Sequence, residues 1–257
     1  MVVKGLNVFA SRVLTHTQYK LRYWYNISVP QFLIALLLPK IVQHGLFKGM
    51  RYLYKSTGSV VLPKLVGTYE DEITDALLDI QSNTYDLFVD VGAAEGYYVV
   101  GIHKYIFKGH VPCVAFESTL RGQNLINKLA KINKVTEINI KGHCDKNELK
   151  QVISGKKTFI LMDIEGGEKD LLDPQEIPAL INNDILVELH PEAVSSIKEL
   201  IVQRFHETHS ITEYERDLDK HFPDNIKIPR YLSNYKQYML NEFRGNQSWL
   251  YLKAKLR

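Results

Sequence analysis

Four groups of side chains in this 257-residue chain have the types and spacing to do chemistry together. The first is the run Asp90-Val91-Gly92-Ala93-Ala94-Glu95-Gly96. Small residues let a backbone pass close under a ligand, and glycine takes a positive φ where a turn demands one. Gly92 and Gly96 are separated by three residues, unlike the G-x-G-x-x-G spacing that brings a helix N-terminus onto a pyrophosphate. An acid ahead of the glycines suits a cationic or zwitterionic ligand better than a diphosphate. The second is Glu117, 21 residues beyond Gly96, where nucleoside-binding α/β folds place a carboxylate on ribose hydroxyls. A carboxylate accepts two hydrogen bonds from a vicinal diol.

The third group is Cys144 and Asp145, and the fourth is Asp163, Glu165, Glu168, Glu188 and His190. Carboxylates beside an imidazole serve general acid–base work, or hold a hard divalent cation such as magnesium or manganese through Asp163, Glu188 and His190. Glu165 and Glu168 flank Gly166 and Gly167 at a predicted helix start, where the helix dipole alone accounts for acids. Glu168 is read as structural on that ground.

The elements that must position these residues follow from periodicity. Strands are expected at Leu87–Val91, Val111–Phe116, Glu137–Lys141, Thr158–Met162 and Ile185–Leu189, with helical patterns near 97–107, 120–132, 145–154, 167–173 and 192–204. A further helix is expected through Glu70, Ile73, Ala76, Leu77 and Ile80. Such alternation predicts βαβ units and a largely parallel sheet. Two more strands, His209–Tyr214 and Ser248–Ala254, flank a polar insertion at about 217–246. Ligands of open sheets bind beyond the carboxyl ends of the strands, and all four groups fall there. Strands four and five are expected neighbours, so Asp163 could converge with Glu188 or His190.

The run Val89-Asp90-Val91-Gly92-Ala93-Ala94-Glu95-Gly96-Tyr97-Tyr98 resembles the first motif of FkbM-type methyltransferases, a class I S-adenosylmethionine-dependent family. Ala115-Phe116-Glu117-Ser118 resembles its second, although the family more often has Pro at position 118. Met162-Asp163-Ile164-Glu165-Gly166-Gly167-Glu168 is similar to its D-[VI]-E-G-[AG]-E signature, and Val187-Glu188-Leu189-His190 to the element after the fifth strand. The resemblance spans about residues 85–200 and leaves residues 1–65 and the insertion unmatched. It implies O-methylation of sugar or other polyol hydroxyls, with Asp90, Gly92, Ala93, Glu95, Gly96, Glu117 and Asp163 at the S-adenosylmethionine site. Cys144 and Asp145 would then meet the adenine ring, Asp145 serving equally well as a helix cap. Methyl transfer to an alcohol needs alignment and removal of a proton. His190 is the expected base, since an ordinary pKa near 6.5 leaves much of it neutral at pH 7. Asp163 or Glu188 would orient it, or a nearby carboxylate would take the proton in its place.

Composition bounds the rest. The 45% hydrophobic and 24% charged fractions are those of a soluble globular protein. Cys113 and Cys144 are far apart in sequence, which argues against a disulfide framework or zinc site. The net charge of +3 hides an asymmetry: residues 1–69 hold nine Lys or Arg and no acid, Glu70 being the first. This basic head is a solvated face, or it meets an anionic membrane or glycan. The longest apolar run, Phe32–Leu38, ends at Pro39, well short of the ~20 residues that span a bilayer. No signal-peptide pattern opens the chain.

The sequence thus predicts a Rossmann-like α/β domain over 66–257 behind a mostly helical basic extension, 1–65. Its expected activity is methyl transfer from S-adenosylmethionine to a hydroxyl of a small molecule or glycan, in the cytoplasm or peripherally at a membrane, with no nucleic-acid partner. Two rivals stand beside it: a catalytically silent binding module on the same fold, and an NAD-binding oxidoreductase, which the glycine spacing disfavours.

Overall fold

The computed structural model describes residues 29–255 except 246. The first 28 residues, which begin the expected extension, lie outside the described residues. Seven strands form one sheet: β1 (Leu87–Val91), β2 (Cys113–Phe116), β3 (Ile138–Lys141), β4 (Thr158–Met162), β5 (Asp184–Leu189), β6 (His209–Glu215) and β7 (Ser248–Ala254). Their order is β3-β2-β1-β4-β5-β7-β6. The first five run parallel, and β7 inserts antiparallel between β5 and β6. This is the expected Rossmann-like sheet, with an antiparallel edge.

Among the described residues the helices are α1 (Val29–Ala35), α2 (Val61–Val66), α3 (Thr74–Gln81), α4 (Tyr97–Gly101), α5 (Leu120–Asn133), α6 (Lys146–Ile153), α7 (Glu168–Leu171), α8 (Ile197–Phe205) and α9 (Lys236–Leu240). Helix α4 continues into a wider turn over Ile102–Ile106. Strand β2 starts two residues later than expected because Pro112 has no N–H to give the ladder. Helix α8 starts later than expected: Pro191 follows β5, and the N–H groups of Ala193 and Val194 turn back onto the His190 carbonyl.

Buried on both faces, β1, β2, β4 and β5 are nearly continuous in apolar residues, whereas the edge strand β3 is partly exposed. Phe88, Phe159, Leu161, Leu186, Trp249 and Tyr251 belong to one core layer, while Val89, Ile160, Met162, Val187, Leu250 and Leu252 belong to the other. Residues 29–66 pack into the first layer through Ile34, Met50, Tyr52, Leu62 and Leu65. Between α1 and α2 the chain is not helical and closes a small antiparallel bridge, Ile41 with Arg51.

Period-two alternation then fixes where the chemistry points. Asp90 follows Phe88, Glu117 follows Ala115, Asp163 follows Leu161, and Glu188 and His190 follow Leu186, each by an even step. All therefore project toward the layer that residues 29–66 cover. The sheet order reverses between β1 and β4, the crevice where open α/β sheets bind ligands.

Candidate active site

A cavity of about 930 Å³ opens over the carboxyl ends of β1, β2, β4 and β5 and is lined by members of all four predicted groups, though not by Glu168. Eleven of its lining residues are Asp or Glu, against Lys64, Lys146 and Arg244. Such a wall attracts cations and repels phosphates.

The glycine loop forms the floor. Gly92 has φ +94°, and a Cβ there would sit 1.8 Å from the Asp163 carbonyl oxygen, so no other residue fits. Asp90 is buried with neither carboxylate oxygen well hydrogen-bonded. Burial, then the Asp163 carboxylate, hold its pKa well above the usual range, against a backbone N–H from Val99. Glu117 is aimed rather than free. Oε2 accepts the Ala94 N–H at 3.0 Å, and Oε1 accepts the Thr119 N–H at 2.8 Å and hydroxyl at 2.6 Å. Gly122 makes room for it, since a Cβ there would lie 2.5 Å from the Glu117 side chain.

Glu95 is not available to a ligand in the way its place in the loop suggests. Fully buried, it is 2.5 Å from the Lys64 ammonium, and it accepts the Tyr52 hydroxyl at 2.5 Å and the Thr57 N–H at 2.8 Å. It ties the loop to α2 and the segment before it. Asp145 accepts the Glu148 N–H at 2.9 Å and so caps α6. Cys144 lines the cavity as a neutral thiol, its pKa pushed to about 12 by burial and Asp145.

On the other side, β4 and β5 bring Asp163, Glu188 and His190 together as the register demands. Nε2 of His190 is 3.4 Å from Asp163 and 3.4 Å from Glu188. One ligand atom from each lies within 4.8 Å of the others, a separation compatible with a shared cation. Nδ1 of His190 is 3.0 Å from Glu168, so Glu168 has a role beyond the helix dipole. The expectation of a near-ordinary pKa for His190 is corrected. Burial pulls it down, but hydrogen bonds to Glu168 and Glu188 and the charge of Asp163 outweigh burial and push it up to about 11. Asp163 also rises, through burial and then Glu188, against His190. Glu165 lines the cavity with φ +58°.

Several members of the site were not foreseen. Lys64 lies 4.4 Å from the centre of the Tyr69 ring. Arg244, from the 217–246 insertion, donates to Glu188 at 2.9 Å and to Glu242 at 2.6 Å, pairs with Glu70 at 3.4 Å and also binds Glu72. Lys220 reaches Asp71 at 2.5 Å and Glu242 at 2.6 Å. Tyr69 and Glu70, just ahead of α3, both line the cavity, and the Tyr98 hydroxyl donates to Glu70.

No family model matches the chain, and no curated protein matches it. Among solved structures, an O-methyltransferase from Bacillus cereus in complex with SAH is 14% identical, covering 73% of this chain and 81% of its own, with a TM-score of 0.45. An SAH-bound methyltransferase from Podospora anserina is 12% identical over 75% of this chain and 79% of its own, TM-score 0.46. An rRNA methylase from Streptococcus thermophilus is 8% identical over 72% of this chain and 97% of its own, TM-score 0.47. Likenesses this distant carry no statement about activity.

Proposed function

We propose that this chain is an S-adenosylmethionine-dependent methyltransferase that acts on a hydroxyl of a sugar, glycan or other small polyol. The observation that carries this reading is Asp90, a buried carboxylate with neither oxygen well bonded, on the floor of a cavity whose charged lining is mostly acidic. The donor set suits a sulfonium cofactor with an amino group and a ribose. Asp90 offers an acceptor for the ammonium end, and Gly92 and Gly96 leave the backbone open to close approach. Glu117 keeps lone pairs for a diol, and neutral Cys144 gives a weakly polar wall for a base. The same acid excess disfavours the pyrophosphate of NAD. The motifs that resemble FkbM-type enzymes support the assignment.

The cofactor, when bound, supplies an electrophilic methyl group. This chain must align the acceptor oxygen in line with the breaking carbon–sulfur bond and take its proton. Asp163 is the most open of the three cluster residues, with a side chain 35% exposed, and it lines the cavity where an acceptor would sit, which makes it the candidate base. His190, already protonated with Glu168 behind it, steadies the carboxylates. The base role thus moves from His190 to Asp163, with Glu188 held on the far side by Arg244.

A second reading is favoured by the convergence of Asp163, Glu188 and His190: a magnesium or manganese ion between them, lowering the pKa of the acceptor hydroxyl. Glu168 on Nδ1 would leave Nε2 as the ligand atom. Manganese binding followed by electron paramagnetic resonance, lost in His190→Ala, would support it.

The deciding experiment is calorimetric titration with S-adenosylhomocysteine, with NAD as control and Asp90→Ala as variant. Binding of the first ligand only, weakened in the variant by roughly 10–150-fold for a lost charged hydrogen bond, is expected. A folded protein that binds neither ligand would turn the reading toward the silent module.

A further inference from the structure

Helix α1 is apolar on both sides. Gln31, Ile34 and Ala35, with Leu38 just beyond the helix, are buried against the body, and Gln31 accepts the Leu62 N–H at 3.0 Å. The opposite side carries Phe32 and Leu33, and the turn that follows the helix carries Leu36 and Leu37, continued by Ile41, each 41–56% exposed. No polar residue interrupts Phe32–Leu38. A surface helix ordinarily sets a polar face against its buried stripe, and contiguous exposed apolar side chains mark a site of interaction.

The charged side chains of this segment have one sign. Lys40 precedes Ile41, Arg51 pairs with Ile41 across the antiparallel bridge, and Lys48 sits on the connecting turn, all three exposed. No acid occurs in the chain before Glu70.

We propose that this face is a peripheral docking surface for an anionic phospholipid membrane. Phe32, Leu33, Leu36 and Leu37 enter the boundary between headgroups and acyl chains, and Lys40, Lys48 and Arg51 meet the lipid phosphates. None of the described helices is long and apolar enough to cross a membrane, so α1 lies in the interface plane. Charge selects the occupant: a second copy of the chain would set like cations against each other, whereas an anionic bilayer satisfies apolar face and cations at once. The Gln31–Leu62 bond couples this face to α2, which carries Lys64 of the cavity wall.

The test is flotation of the full chain with phosphatidylcholine vesicles, with and without phosphatidylglycerol. Binding to the mixed vesicles is expected. It should weaken about tenfold or more in L33E/L37E, which removes insertion. K40E/R51E should erase the preference for phosphatidylglycerol. Both pairs are exposed, so an unchanged far-UV spectrum and unfolding midpoint identify properly folded variants. Undiminished flotation of L33E/L37E would overturn the proposal. So would a failure of the native chain to float, whether it instead forms a dimer that L33E/L37E dissolves or binds only a soluble polyanion such as heparin.

Discussion

Nδ1 of His190 lies 3.0 Å from a carboxylate oxygen of Glu168, and that contact decides which nitrogen faces the cavity. With Nδ1–H donated to Glu168, Nε2 is turned toward Asp163 and Glu188. Glu168 stays ionised: burial alone would raise its pKa, but the hydrogen bond from His190 holds it below the usual value. Glu168→Gln should free the ring to turn while sparing the glycine loop. The expected outcome is an unchanged affinity for S-adenosylhomocysteine with methyl transfer slowed about 10–100-fold, the usual effect of losing an orienting carboxylate. Equal losses in both measurements would mean that Glu168 serves only the fold.

Gly92→Ala should be among the most damaging single-carbon changes in the molecule. The left-handed backbone costs an L residue about 1–3 kcal/mol. The added carbon also meets the Asp163 carbonyl, which is backbone and cannot swing aside. A melt should show a sharply lowered unfolding midpoint, and calorimetry should show lost cofactor binding. Gly155→Ala, whose Cβ would meet nothing within 4 Å, is the control for φ alone.

The Lys64–Glu95 pair predicts a specific pH dependence. Burial raises the Glu95 pKa, but Lys64 and the Tyr52 and Thr57 hydrogen bonds outweigh it and leave it below 4.5. A depressed carboxylate stabilises the fold above its unfolded pKa, and that contribution disappears as pH falls through the folded value. The stability gap between the native chain and Glu95→Gln should therefore be widest near neutrality and close as pH drops below about 4.5. Lys64→Met strands a buried anion and should cost about 3–5 kcal/mol at neutral pH. The double variant should cost less than the two single losses together, as urea unfolding would show.

Arg244 holds Glu70, Glu72, Glu188 and Glu242 at once. Arg244→Met should destabilise by about 3–5 kcal/mol, the usual result of breaking a buried pair. Arg244→Lys should recover only part of this, because an ammonium cannot match the planar fork of a guanidinium. Adding Glu188→Gln to Arg244→Met should restore some stability. Denaturant midpoints of the three variants check the order.

The sheet was legible because its signal is local. Leu87–Val91, Thr158–Met162 and Ser248–Ala254 are apolar runs bounded by turn residues, and their ends coincide with the observed strands. The acids after those strands were legible for the same reason, since parity and the expected neighbourhood of β4 and β5 bring Asp163 to Glu188. What stayed hidden depends on distant chain. Lys64 and Arg244 reach the cavity from segments 31 residues before Glu95 and 56 residues after Glu188, and neither carries a periodic or motif signal. The tie between Glu168 and His190 was hidden by a sufficient local explanation, the helix dipole. The high His190 pKa leaves no mark in the sequence because it reflects three carboxylates converging in space.

The insertion has a consequence for how such a molecule can change. Strands β6 and β7 pair without a break from His209 with Ala254 to Glu215 with Ser248. The chain between them therefore leaves and re-enters the sheet at adjacent positions. Lengthening or exchanging that excursion need not disturb a single rung of the ladder, yet it would rebuild the wall that Glu242 and Arg244 now form. The sheet and glycine loop amount to a fixed chassis, and the β6–β7 excursion is the replaceable part by which, on the proposed function, a descendant could be retargeted to a new acceptor.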